Sequence, residues 1–447
     1  MAFLKLESEN KNLSWVLEKN PETGIVIKPC KKGFMFGYFP LIETLEEEKV
    51  TKSINAQQYC IYFKDASDEI SYRKNEHESF EYLSASKYNN ARFINDSIEA
   101  LLKSARENKH DYLKEEKDYD ISSNHKMTFN LIETQYKTID IFERYFTELQ
   151  IKSEEIAANN FKISFATKDE MTLSNFLNII NLFGIFAVLN SDDYIYIEEE
   201  IINKYLRILN KIDVPYFIRY LFKVRLLRYD AIFFKMKPEL EKTKKYYELQ
   251  FTPGSSHDAR IAWVKHNLSF SLPIVDIGAG IDYKYLKYYA PKLQGAGLTY
   301  YAIEQDQNAR ERIKAGCRNR HLDNVEIYES FDAFLEVYNN EKINILCTEV
   351  LEHNELPEVE KILLQILKTN FSRFLTTVPN ADFNKFYGLE NAMRHDDHKW
   401  ELGFEAFKKL MTDFMEKENI ELTRHWSEIG DVVNDISVST GLILSKE

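Results

Sequence analysis

At 447 residues the chain is too long for one ordinary core, so two or three domains are expected. Its 44% hydrophobic and 14% aromatic content suffices to build them, and no run of about eighteen apolar residues is present to span a membrane. A net charge of −13 argues against a non-specific nucleic-acid coat. The start, Met1-Ala2-Phe3-Leu4-Lys5-Leu6-Glu7, is too charged for a signal peptide. Cys30, Cys60, Cys317 and Cys347 lie far apart without C-x-x-C spacing, which argues against structural zinc or a disulfide framework and fits a reducing cytoplasm.

Residues 1–105 are expected to form an α/β or α+β domain. Gly24–Lys28, Gly33–Phe39 and Gln58–Phe63 have the apolar, β-branched and aromatic character of strands, and Asn95–Leu102 of a helix. Lys103–Lys126 is charged and poor in apolar residues, as in a solvated linker. Residues 106–240 are expected to be a helix-rich intermediate domain with linkers. Within it Phe217–Leu227 carries a helical apolar stripe with basic residues interleaved. That pattern suits a core helix with a charged outer face, or a surface for a nucleic acid or a partner. Lys237–Lys245 is a second charged joint, and from Tyr246 strands and helices alternate. Residues 241–447 are therefore expected to be an α/β domain of Rossmann-like type.

The chemistry concentrates in that last domain. Ile274-Val275-Asp276-Ile277-Gly278-Ala279-Gly280 is a strand followed by a glycine turn, and Thr299–Glu304 is a strand ending in an acid. The apolar run Ile343–Cys347 predicts a buried strand. Thr348-Glu349-Val350-Leu351-Glu352-His353 follows, and Pro357 stands in the first turn of the next helix. Ligands of open α/β sheets bind at that carboxyl edge. Two carboxylates crowded beside an imidazole repel unless protons or a cation hold them. Phe374–Asn380 predicts the next strand and its exit loop. Arg394-His395-Asp396-Asp397-His398-Lys399-Trp400-Glu401 then brings further imidazoles. Glu, Glu, His and a distant His suit Mg²⁺ or Mn²⁺. A nicotinamide dehydrogenase would not need this group. Phe404–Met415 predicts an amphipathic helix, and Leu422–Ile429 and Ile436–Leu444 two final strands.

The glycine turn, E-x-x-E-H, T-x-V-P-N and R-H-x-D-H-x-W-E occur in the order and spacing of one family. The chain resembles the Hen-type RNA 3′-terminal ribose 2′-O-methyltransferases, in particular their bacterial RNA-repair branch. Asn12–Pro21 and Tyr82–Phe93 resemble the start of the bacterial proteins more loosely. The resemblance implies a C-terminal Rossmann-like methyltransferase domain behind N-terminal α+β and helix-rich domains. It implies S-adenosylmethionine at Asp276, Gly278, Gly280 and Glu304, with Ser330 at the adenine edge and Asp306 as an alternative acid. It also implies one divalent ion, Mg²⁺ or Mn²⁺, on Glu349, Glu352, His353 and His398. The substrate implied is the RNA 3′ end and not DNA, because the site grips a vicinal diol. His353 and His395 are candidate bases. Arg394 is a candidate for the terminal phosphate, or else a surface ion pair. The partners implied are a polynucleotide kinase–phosphatase and an RNA ligase, docked and activated through the N-terminal half. The chain departs from the family after its glycine turn, where Ile281-Asp282 replaces the usual Glu-Gly pair. This keeps a second reading open, an assembly and activating subunit with weak or no transfer activity.

Overall fold

The computed structural model describes residues 2–30, 33–46, 49–65, 72–73, 82–83, 89–109, 119–190, 199–389 and 392–446. They form two compact units, Met1–Val214 and Pro215–Glu447.

In the first unit, β1 (Phe3–Ser8), β2 (Val26–Cys30), β3 (Gly33–Tyr38), β4 (Gln58–Asp65), β5 (His125–Glu133), β6 (Leu149–Ala157) and β7 (Asn160–Thr167) make one antiparallel sheet. Its order is β6-β7-β5-β1-β4-β3-β2. The alternation along β1 points Leu4 and Leu6 inward, as a sheet with one buried face requires. A mostly apolar helix, Leu173–Leu189, is buried along almost its full length, and its first turn is capped by the Thr172 hydroxyl. An intermediate domain beginning at residue 106 does not emerge. β5 pairs directly with β1, so one sheet spans the expected boundary. The expected linker begins as a helix, Lys103–Glu107, with Ala105 and Arg106 buried. Residues 110–118 of that linker, and 84–88 of the Tyr82–Phe93 phrase, lie outside the described residues.

In the second unit, β8 (Leu249–Gln250), β9 (Ile274–Ile277), β10 (Tyr300–Ile303), β11 (Val325–Tyr328), β12 (Ile343–Thr348), β13 (Phe371–Pro379), β14 (Thr423–Val433) and β15 (Ile436–Ser445) form a mixed sheet. The order is β8-β14-β15-β13-β12-β9-β10-β11. Strands β9 to β13 run parallel, and β15 returns antiparallel to β13. Every residue of β12 is buried, because helices cover both faces. Ile345 and Cys347 join one core with helices 331–337, 356–368 and 404–417. Leu346 joins the other with helices 256–267, 284–295 and 307–319. Reversal of strand order falls between β12 and β9, and the crevice there lies at their carboxyl ends.

Helix Tyr216–Leu226 settles the reading of the basic stripe differently from both expectations. Arg219 and Lys223 point inward. Arg219 donates to the Leu240 carbonyl, and Lys223 pairs with Asp431 at 2.7 Å. The charged joint also starts later than expected, since helix Asp230–Leu240 runs through Lys237.

Candidate active site

The glycine turn follows β9 because two of its residues hold left-handed backbone, Gly278 at φ 75° and Gly280 at φ 71°. A Cβ on Gly278 would stand 2.4 Å from a Val350 methyl, so this glycine also lets two loops meet. At Gly280 the same atom would find only the Gly278 carbonyl, at 3.9 Å. Glu304, at the end of β10, accepts from the Gly280 N–H at 2.8 Å and from the Asp306 N–H at 2.9 Å. Asp276 lies buried beneath the turn. One oxygen accepts the Tyr300 hydroxyl at 2.5 Å, and the other is buried without a partner. Burial pushes this carboxyl up to about 7, against the pull of Tyr300. An orphaned carboxylate oxygen beside an open glycine turn fits the ammonium end of an amino-acid cofactor. Ser330 and Asp306 each cap a helix, accepting from Ala333 and Ala309 at 3.1 and 2.7 Å.

Past β12 the chain turns sharply. Glu349 takes left-handed backbone at φ 53°, and residues 351–353 form a single 3₁₀ turn. That turn drives Glu352 inward, where it is fully buried with neither carboxylate oxygen partnered. Burial, and then the charge of Glu349, hold its carboxyl well above the usual range. Ligand atoms of Glu352, His353 and His398 lie within 4.8 Å of one another. A buried carboxylate without a hydrogen bond beside two imidazoles is the donor set a divalent cation satisfies. Glu349 stands outside this group. Its carboxylate accepts the Thr377 hydroxyl at 3.0 Å and faces the Arg260 guanidinium at 3.4 Å.

Residues 394–401 are fastened to the two strand ends that flank the site. The Lys399 N–H donates to the Glu352 carbonyl at 2.8 Å, and the Trp400 indole to that of Asn354 at 2.9 Å. Arg394 donates to Asn384 and to the Asn380 carbonyl at 2.7 and 2.6 Å, and its guanidinium lies over the Tyr387 ring. Arg394 is thus half-buried against protein partners rather than set in a surface ion pair. It ties the loop to the end of β13. Glu401 accepts from Asn384, from the Arg394 N–H and from His398 Nδ1. Burial would raise its carboxyl, but these donors hold it below the usual range. With Nδ1 at 2.5 Å from this carboxylate, His398 keeps Nε2 for the site. His353 is arranged alike, its Nδ1 3.1 Å from Asp397. Burial, and then the neighbouring imidazoles of His398 and His395, draw His353 down, although Asp397 opposes them. His395 is exposed, 5.1 Å from His398 between ring centres. Cys347 is a core residue, its thiol raised by burial.

Three contributors were missed in the sequence. Glu401 closes the motif that contains His398, and its i, i+3 spacing was a readable signal. Thr377 is the unspecified position of the T-x-V-P-N motif, and Arg260 comes from a helix with no motif around it.

A mixed sheet of this order, with a glycine turn after β9 and a carboxylate–imidazole cluster after β12, defines a Rossmann-like fold of the methyltransferase type. Residues 3–245 match the family model described as the Hen1 N-terminal domain, more than half of the chain, and the chain belongs to the Hen1 family. No curated protein matches it. A chain of a structure described as the Pnkp1/Rnl/Hen1 RNA repair complex is similar over 99% of this chain and 100% of its own, at 22% identity and a TM-score of 0.76. A chain of a second structure, described as the Pnkp1/Rnl/Hen1 complex, is similar over the full length of both, at 22% identity and a TM-score of 0.75. At this identity the likeness is one of fold. No helix among the described residues is long and apolar enough to cross a membrane.

Proposed function

We propose that this protein methylates the 2′-hydroxyl of the 3′-terminal nucleotide of RNA, using S-adenosylmethionine and one divalent metal. The observation that carries the reading is Glu352, a buried carboxylate with both oxygens unpartnered beside His353 and His398, in a chain of the Hen1 family. Glu352, His353 and His398 would hold the metal, with Glu349 the expected fourth ligand. Mg²⁺ and Mn²⁺ both suit these donors. Asp276, Gly278, Gly280 and Glu304 would hold the cofactor, with Ser330 at its adenine edge. The cofactor supplies an electrophilic methyl group, and the metal supplies Lewis acidity to a hydroxyl that is a poor nucleophile at neutral pH.

This chain's own residues do the rest. Glu401 and Asp397 each hold an imidazole by Nδ1, which leaves each ring its Nε2 as the ligand atom. A ligating imidazole is a poor base, which leaves the exposed His395 as the stronger candidate to take the ribose proton over His353. Arg394 fixes the loop that carries both His395 and His398.

The likeness to the repair-complex structures supports the further reading that the N-terminal half docks a polynucleotide kinase–phosphatase and an RNA ligase. A cytoplasmic setting fits four unpaired cysteines. Repair gives the modification a purpose. A break made through the 2′-oxygen of RNA, once healed, methylated and sealed, has no internal nucleophile left at the junction.

The test compares four oligonucleotides: RNA, DNA, RNA ending in 3′-phosphate and RNA ending in 2′-deoxyribose. Mass analysis after incubation with cofactor and Mn²⁺ should find one added methyl on the first alone. Equal methylation of the 3′-phosphate RNA would mean that the site does not read a diol. No methylation of any would leave the assembly role as the surviving reading.

A further inference from the structure

The first unit contains a cavity of about 410 Å³ beside the helix Lys103–Glu107 and the helix Glu199–Ile212. Five cationic side chains line it against three carboxylates, in a chain whose overall charge is −13. The cations are Lys103, Arg106, Lys204, Arg207 and Lys211. One carboxylate serves several of them. Glu99 lies 2.9 Å from Lys204, 3.2 Å from Arg106 and 3.6 Å from Lys103. Glu107 adds a contact to Arg106 at 3.0 Å.

Two cations are left over. Among the described residues Arg207 makes no ion pair, and Lys211 donates only to the Arg106 carbonyl and the Ser174 hydroxyl, at 2.6 and 3.0 Å. Arg106 is 6% exposed, and its Nε is buried with no hydrogen-bond partner. A buried guanidinium donor without an acceptor is costly, and a ligand oxygen would relieve it. The ammonium of Lys211 is drawn down by burial and then by the charge of Arg106, against the pull of Glu107 and Asp120.

We propose that this cavity binds a phosphate ester of about single-nucleotide size. The surplus of two positive charges matches a phosphate monoester, which carries about −1.5 to −2 at neutral pH. Arginine forks suit its oxygens, and the volume lies in the range of small-ligand pockets, roughly 300–1,000 Å³. A free nucleotide carries such a monoester, whereas a link of an RNA strand is a diester with one negative charge, and the titration below tells the two apart.

Calorimetric titration of the full chain separates the outcomes. S-adenosylhomocysteine is kept at saturation, so that nucleosides do not enter the glycine turn. The probes are AMP, adenosine and the dinucleotide UpU. AMP should bind and adenosine should not. Arg207 is exposed, so Arg207→Gln and Arg207→Glu should fold normally by circular dichroism, and they should weaken AMP at least five-fold and tenfold. UpU binding as tightly as AMP assigns the cavity to an RNA strand, and weaker binding assigns it to a free nucleotide. Equal binding of adenosine and AMP, binding of neither, or unchanged affinity in a folded Arg207→Glu protein overturns the proposal. Calorimetric binding of S-adenosylhomocysteine by Arg207→Glu should match wild type, which keeps this result separate from the fate of the activity proposed above.

Discussion

Glu401 is the residue on which the imidazole side of the site depends. Its carboxylate accepts from three donors and fixes the tautomer of His398. In Glu401→Gln the amide keeps the shape but no longer selects the Nδ1–H form. Outer partners of ligating histidines are typically worth 10- to 100-fold in metal affinity. Mn²⁺ affinity measured by calorimetry should fall by about that factor, with the melting temperature in chelator little changed; unchanged affinity would remove Glu401 from this role. Asp276 makes a prediction about pH. Its carboxyl is pushed up to about 7 in the folded chain, against about 3.9 when exposed. The folded state therefore favours the proton. The stability tied to it is complete below about pH 4 and is lost as the pH rises through 7, at about 1.4 kcal/mol for each step of one in pH between those limits. Asp276→Asn can still accept the Tyr300 hydroxyl. It should raise the melting temperature at pH 8 and change it little at pH 4, both measured without cofactor. An equal change at both values would show that Asp276 ionises normally.

At the scale of elements, the second unit was legible because its motifs sit at strand ends. The apolar run 343–347 and Pro357 bracket the turn that buries Glu352, so the strand, crossing and helix follow from local pattern. The turn that sets Glu349 apart was not legible. Arg260, its counter-ion, lies in the helix Ser256–Asn267, and nothing near Arg260 marks it. The helix 216–226 shows the same limit. Its basic residues look solvated by pattern, but the partner of Lys223 is 208 positions away. Asp431 also accepts from Tyr216 and Thr252. Breaking one side of such a buried pair typically costs about 3–5 kcal/mol, because the other charge stays buried. Lys223→Met should lose that much in urea unfolding, and Lys223→Met with Asp431→Asn should recover part of it. A single substitution that costs under about 1 kcal/mol would mean the pair is not truly desolvated.

For the whole molecule, the boundaries were the least legible part. Local composition suggested a linker after residue 103, but the sheet of the first unit is closed by β5 pairing with β1 across it. Pairing between distant strands leaves no mark on the intervening sequence. A metal held by Glu352, His353 and His398, as proposed above, would stabilise the folded chain, since anything that binds only the native state does so, by about 2.7 kcal/mol at a hundredfold excess over Kd. Mn²⁺ should raise the melting temperature of the wild-type protein and leave Glu352→Gln unmoved. In chelator, Glu352→Gln should melt no lower than wild type, since the buried acid it replaces has no hydrogen-bond partner to lose. A metal response that survives in Glu352→Gln would place the ion elsewhere.

The close approach of Gly278 to Val350 has a consequence for how this sequence can drift over generations. Two separate obstacles guard position 278, the left-handed backbone and the valine methyl at 2.4 Å. Trimming Val350 removes the second and leaves the first, so no one neighbouring change opens the position to another residue. Gly280 faces only the first obstacle, and asparagine tolerates left-handed backbone better than other residues with a side chain. Among descendants that still fold, position 278 should stay frozen as glycine while position 280 occasionally passes to asparagine. The two glycines, alike in the sequence, have unequal evolutionary freedom.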